Sequence, residues 1–213
     1  MASRLMHLAV GALLGESGLI SDLPRFNLGL LLPDAMVSAP AEKHRESHFL
    51  RAESFGQCVM DHAAFFSLFP VETADDPLYL GYYLHLIQDG IYRSRFDKSF
   101  PQGVPKDALY RDYRILNARL QRRFSFTDNL SAPADFNTLP ISSIAPFEIS
   151  AFLEELRDDL VSTVGGDALF LTDDWTEAYF EEAVSVCLRE ITSLREGRPL
   201  LPGNAYSYQK RPD

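Results

Sequence analysis

His85 and Asp89 stand four residues apart in Leu78-Tyr79-Leu80-Gly81-Tyr82-Tyr83-Leu84-His85-Leu86-Ile87-Gln88-Asp89, a stretch so apolar that a helix built from it must be mostly buried. A buried imidazole and a buried carboxylate each need a partner. Residues i and i+4 of a helix lie one above the other, so Gly81, His85 and Asp89 form a column. On this reading the glycine leaves room for something to approach both polar groups, and a metal ion meets that description. The competing reading is a structural pair in the core, its charge neutralised by Arg93 at i+4 from Asp89.

The other histidines favour the metal. His7, His44, His48, His62 and His85 all fall in the first 85 residues of 213, which random scatter would produce about once in a hundred. Among them lies Leu32-Pro33-Asp34, where the proline ends a helix and leaves an acidic group on an apolar turn. A carboxylate so placed calls for a cation.

These groups must be held by helices. Periodicity near 3.6 dominates the chain and no window shows strand alternation, so the expected class is all-α, a single multi-helix domain over 1–198 with a tail over 199–213 that is disordered or draped on the surface. Helices are expected over about 3–15, 24–31, 56–69, 76–96, 109–124 behind Pro105, and 149–160 behind Pro146. The last long helix carries Trp175 to Leu194, capped by Thr172 with Asp173 and Asp174 in its first turn. Residues 36–47 and 125–145, rich in polar residues and proline, read as loops. Glu154, Glu155, Asp158 and Asp159 read as a solvated helix face.

The order and spacing of four elements resemble a family, the zinc-dependent phospholipase C proteins and their smaller relatives, which share an all-helical fold with certain zinc nucleases. The elements are His7 in an apolar first helix, Gly29-Leu30-Leu31-Leu32-Pro33-Asp34, Lys43-His44-Arg45-Glu46-Ser47-His48-Phe49, and the Gly81 to Asp89 helix. The resemblance covers roughly residues 5–95. It implies metal-ligand roles for Asp34, His48, His85 and Asp89, and gives His7 a part in holding a neighbouring ion. The family's later histidines have no counterpart, because residues 86–213 contain none. One Zn²⁺ is therefore expected, with His7 available for a second.

Two imidazoles and two carboxylates suit Zn²⁺ and also accept Mn²⁺, Fe²⁺ or Ni²⁺. With one open position such a shell activates water for attack on an ester or phosphoester, so the expected function is a phospholipase C-like, metal-dependent hydrolase of a small-molecule or lipid-like phosphoester. Asp34 is the candidate catalytic residue, as ligand or as general base. His44 with Lys43 would form a basic rim for an anionic group, and Tyr82 would line the pocket. The alternative is a non-catalytic helical module whose ion is structural and whose role is to bind a partner. A His/Asp phosphohydrolase ranks lower, because the chain has no His-Asp dipeptide.

Thirty acidic against twenty basic side chains give a net charge of −10, which disfavours nucleic acid as a partner. No run reaches the roughly 18 apolar residues of a transmembrane span. His7 interrupts the apolar N-terminal run and no small-x-small cleavage site follows, so a retained first helix and a cytoplasmic location are expected. Cys58 and Cys187 belong to no metal-binding spacing and read as buried free thiols.

Overall fold

In the computed structural model, which describes residues 2–101 and 104–209, helix α6 (Pro77–Ile91) runs through the middle of the molecule. Every residue from Leu78 to Ile91 is buried, as an apolar helix with no polar face must be. Asp76 caps it by accepting the Leu78 N–H at 2.9 Å. Around it pack α1 (Arg4–Gly15), α2 (Leu23–Leu31), α4 (His62–Leu68), α5 (Pro70–Asp75) and α9 (Asp173–Arg195). Helices α7 (Lys106–Phe124) and α8 (Ile149–Leu160) close the far side of α1. No helix among the described residues is long and apolar enough to cross a membrane.

The closest approach is between α2 and α6, and two glycines permit it. A Cβ on Gly81 would lie 2.2 Å from the Phe26 carbonyl oxygen, and one on Gly29 would lie 2.1 Å from that of Leu78. This corrects the reading of Gly81: the space over it is filled by the backbone of α2 and not by a ligand.

The all-α class holds for the scaffold, but three short strands were not expected. Strands β1 (Leu50–Ala52) and β2 (Gln57–Met60) form an antiparallel hairpin with Arg51 opposite Val59, and β3 (Tyr208–Gln209) adds to the other edge of β2, Tyr208 opposite Cys58. At two to four residues each, they are too short to show an alternation. The helix expected over 56–69 therefore begins only at His62, because Phe55 and Gly56 turn the chain at positive φ and Asp61 caps a new start by accepting the Ala64 N–H at 3.0 Å. The loop expected over 36–47 contains α3 (Ala41–Ser47). Pro40 breaks the pattern before it, yet Ala-Glu-Lys-His-Arg-Glu is a run of mostly good helix formers, with Glu42 in the first turn and Arg45 in the last. The helix expected to 96 leaves α geometry at Ile91 and ends as a π-helical turn over Tyr92–Phe96.

The 125–145 segment is a surface loop anchored by 3₁₀ turns at Phe136–Thr138 and Pro140–Ser143, with Phe136 and Ile141 buried. On α8, Glu155 and Asp159 are bound by Arg4 at 2.7 and 3.3 Å. Cys187 is buried, Cys58 is half-buried, and both are free thiols.

The tail is draped and anchored, and its last four residues, 210–213, lie outside the described residues. Glu190 of α9, itself buried, accepts the Leu201 N–H at 3.1 Å, the Leu200 N–H at 3.1 Å and the Tyr83 hydroxyl at 2.7 Å. Glu190→Ala leaves these donors without an acceptor and is expected to destabilise the fold by about 2–3 kcal/mol. Urea denaturation reads that loss, and limited proteolysis reads the freed tail as faster cleavage within 199–209.

Candidate metal centre

Four elements deliver five side chains to one point. His7 is the fourth residue after the Ser3 cap of α1, and Asp34 ends the 3₁₀ turn Leu32–Asp34 that follows α2. His48 terminates α3, and His85 and Asp89 share a face of α6. The turn and α3 are tied together by the Ser47 hydroxyl, which donates to the Pro33 carbonyl at 2.8 Å.

Each imidazole has one nitrogen committed. His85 Nδ1 lies 2.7 Å from the Leu30 carbonyl oxygen and His48 Nδ1 lies 2.8 Å from that of His44. A carbonyl can only accept, so both Nδ1 atoms carry hydrogen, and in the neutral rings both Nε2 atoms carry lone pairs. Those two Nε2 atoms face each other at 3.2 Å. Around them stand Asp34 Oδ1, 3.2 Å from His48 Nε2, and Asp89 Oδ2, 3.8 Å from His48 Nε2 and 3.7 Å from His85 Nε2. His7 stacks on His85 with ring centroids 4.1 Å apart and points its Nε2 at Asp89 Oδ1 across 3.5 Å. Within this group Asp89 Oδ2 and His7 Nε2 are buried with no hydrogen-bond partner.

Such an arrangement of acceptors needs a positive centre. His7, His85 and Asp89 form one set, and Asp34, His48 and His85 another, whose ligand atoms lie within 4.8 Å of one another. This buried His/Asp group could hold a metal ion, and its three imidazoles and two carboxylates fit the donor types that zinc and its divalent neighbours take. Burial is nearly complete, at 0% exposure for His7, His85 and Asp89 and 2% for His48, whereas the Asp34 side chain is 14% exposed.

Titration follows the same geometry. Burial pushes the Asp34 carboxyl upward, but in the metal-free protein a charged His48, donating from Nε2, and the nearby imidazoles outweigh it and hold the group at about 2. Burial lowers His85 to about 3, with His7 beside it acting in the same direction. His48 loses by burial and gains more from Asp34, so it is raised. His62 lies outside the cluster, buried against Tyr83, and burial lowers it too. A folded-state value below the unfolded one means stability that is present above the unfolded value and is lost as pH falls towards the folded one. For His85 and His62 the loss begins near 6.5, and Asp34 adds to it only below 3.8. The metal-free protein is therefore expected to show a urea midpoint that drops steadily between pH 6.5 and 4, with part of the drop removed in His62→Gln.

The five residues read as ligands from the sequence come together. Of the three read as substrate contacts, Tyr82 lines no open pocket, and Lys43 and His44 have partners on or beside α3. The Lys43 ammonium is bound by Glu46 at 2.7 Å, His44 contributes its carbonyl to His48, and Tyr82 is fully buried with its hydroxyl donating to the Ser47 carbonyl. Arg93 pairs with Asp97 at 3.4 Å and lies against Tyr208. Sequence reasoning did not single out Gln88, which accepts from His7 Nδ1 at 2.8 Å, or the Ala2 N–H, which donates to Asp89 Oδ1 at 2.9 Å. Gln88 had a signal, as a polar residue in an otherwise apolar helix run. No known protein family, curated protein or solved structure matches the chain.

Proposed function

We propose that the protein is a metal-dependent hydrolase of an ester or phosphoester, of the phospholipase C-like kind that the spacing of His7, Asp34, His48, His85 and Asp89 resembles, with Zn²⁺ as its ion. The observation that supports it is the pair of Nε2 lone pairs facing each other at 3.2 Å between two carboxylates, with both Nδ1 atoms already spent on carbonyls. When bound, a divalent ion supplies Lewis acidity and brings the pKa of water to about 7. The chain's own residues do the rest. Leu30 and His44 fix the imidazole tautomers, and the α2 and α6 contact excludes water from the His85 side. Asp34, at the solvent edge of the cluster and ionised, would bind the ion or orient an incoming water.

The near-complete burial of the other four ligands favours a second reading, an ion that fastens α1, α2, α3 and α6 together without catalysis. Metal content by plasma mass spectrometry, on protein purified without a metal-binding tag, comes first. Near-stoichiometric metal is expected in wild type and at least a tenfold loss in His85→Ala and His48→Ala. The loaded protein is then assayed on phosphodiester, phosphomonoester and carboxylic ester substrates. Hydrolysis that disappears with the metal and in Asp34→Asn supports the hydrolase, and bound metal with no hydrolysis on any of them supports the structural ion. A well-folded wild type that takes up no metal when offered zinc rules out both.

A further inference from the structure

We propose that Gln88 is a positioning residue that makes His7 a metal ligand by fixing which of its nitrogens carries the proton. The inference rests on the metal reading above and extends it to a residue outside the ligand set. His7 differs from the other two histidines of the cluster. His48 and His85 set their Nδ1–H against carbonyl oxygens, which leave no choice of tautomer. His7 sets its Nδ1 against the side-chain amide of Gln88, a group with an acceptor at one end and a donor at the other.

The two orientations of that amide have opposite chemical consequences. With Gln88 Oε1 facing His7 at 2.8 Å, Nδ1 donates and Nε2 presents a lone pair towards Asp89. With the amide turned over, its NH₂ would donate to Nδ1, the ring proton would move to Nε2, and His7 would become a hydrogen-bond donor to Asp89 with no capacity for a metal. The distances favour the first. His7 Nε2 stands 3.5 Å from Asp89 Oδ1 and makes no hydrogen bond, so the gap is wider than a proton-sharing pair adopts. Asp89 Oδ1 already has a donor in the Ala2 N–H at 2.9 Å.

Gln88 is itself held for the task. It is fully buried on α6, one residue before Asp89, and its amide borders the buried thiol of Cys187 on α9. A thiol is a weak partner for either end of the amide, and the Gln88 Nε2 end is buried with no hydrogen-bond partner, so the Oε1 contact to His7 is the strong one. Outer groups of this kind orient a ligand imidazole and raise its basicity, and their removal weakens metal affinity by about 10–100-fold.

The test compares Gln88→Met, which keeps the size and removes the acceptor, with Gln88→Glu, which as a carboxylate only accepts. Long-range ¹H–¹⁵N spectra of the metal-free proteins report the His7 tautomer. Wild type and Gln88→Glu are expected to carry the proton on Nδ1, and Gln88→Met to shift it at least partly to Nε2. Titration with zinc against a chelator is expected to show a 10–100-fold weaker Kd in Gln88→Met and recovery in Gln88→Glu. A wild-type His7 protonated on Nε2 overturns the proposal, as does a folded Gln88→Met that binds zinc as tightly as wild type. Should Gln88→Met fail to fold, the wild-type spectrum and the Gln88→Glu affinity decide. If wild type binds no zinc, the metal reading fails by itself while the spectra still establish the role of Gln88 towards His7.

Discussion

Gly81→Ala is expected to destabilise the protein by at least about 3 kcal/mol, the upper range for overpacking, because nothing at this position can give way. The methyl would sit 2.2 Å from the Phe26 carbonyl oxygen and 2.8 Å from the Leu30 nitrogen, both backbone atoms of α2. Relief requires the two helices to separate, and the separation carries the Leu30 carbonyl away from His85 Nδ1, now 2.7 Å distant. The variant should therefore lose metal as well as stability. Gly165→Ala is the control: a Cβ there meets nothing within 4 Å, and the change should stay within about 0.5 kcal/mol. Urea denaturation of the two variants side by side makes the comparison, and a Gly81→Ala protein as stable as Gly165→Ala would mean that α2 and α6 are not in contact.

Asp89→Asn is expected to move stability and metal affinity in opposite directions. Asp89 Oδ2 is buried without a hydrogen-bond partner and faces the Nε2 atoms of His48 and His85 at 3.8 and 3.7 Å. In the metal-free protein an amide NH₂ at that place supplies a donor to the His85 Nε2 lone pair, while the amide oxygen keeps the Ala2 N–H. The metal-free variant should gain about 1 kcal/mol, the ordinary net worth of a hydrogen bond. The same change removes an anionic ligand, and zinc affinity should fall about a hundredfold or more, beyond what loss of an outer-shell group does. Thermal denaturation of the chelated proteins and zinc competition provide the two readings. A destabilised metal-free variant would show that the carboxylate is satisfied by protons alone.

Much of the site was legible because its ligands are carried by features with a sequence signature: the i, i+4 pair on an apolar helix, the Pro33-Asp34 break, and histidines confined to the first 85 residues. The third imidazole and both carboxylates follow the same logic. What could not be read was the set of contacts made by backbone. The Leu30 and His44 carbonyls and the Ala2 N–H have no side-chain identity to recognise, yet they fix the tautomers and one carboxylate oxygen. The pocket-lining reading of Tyr82 failed because the side chain is buried, while Lys43 and His44 find partners on or beside their own helix. Glu46 is one turn from Lys43, and Tyr82 turns inward to a carbonyl, where a phenol on an apolar helix finds its partner. In the fold, α1, α2, α8 and α9 were readable to within a residue or two, whereas α6 stops five residues before its expected end and α7 starts three before its expected start. The hairpin and α3 were not readable, because each is shorter than the window over which periodicity declares itself.

Contacts around the ligand cluster and contacts around the sheet differ in how far apart their partners lie along the chain. His7, Asp34, His48, His85 and Asp89 all belong to the first 89 residues, whereas β2 acquires its second neighbour from Tyr208 and Gln209. Joining segments so distant carries a larger loop-closure entropy than joining near ones, and the pairing yields only two residue pairs in return. On that ground the ligand-to-ligand contacts can form before the strand that covers the β2 edge docks.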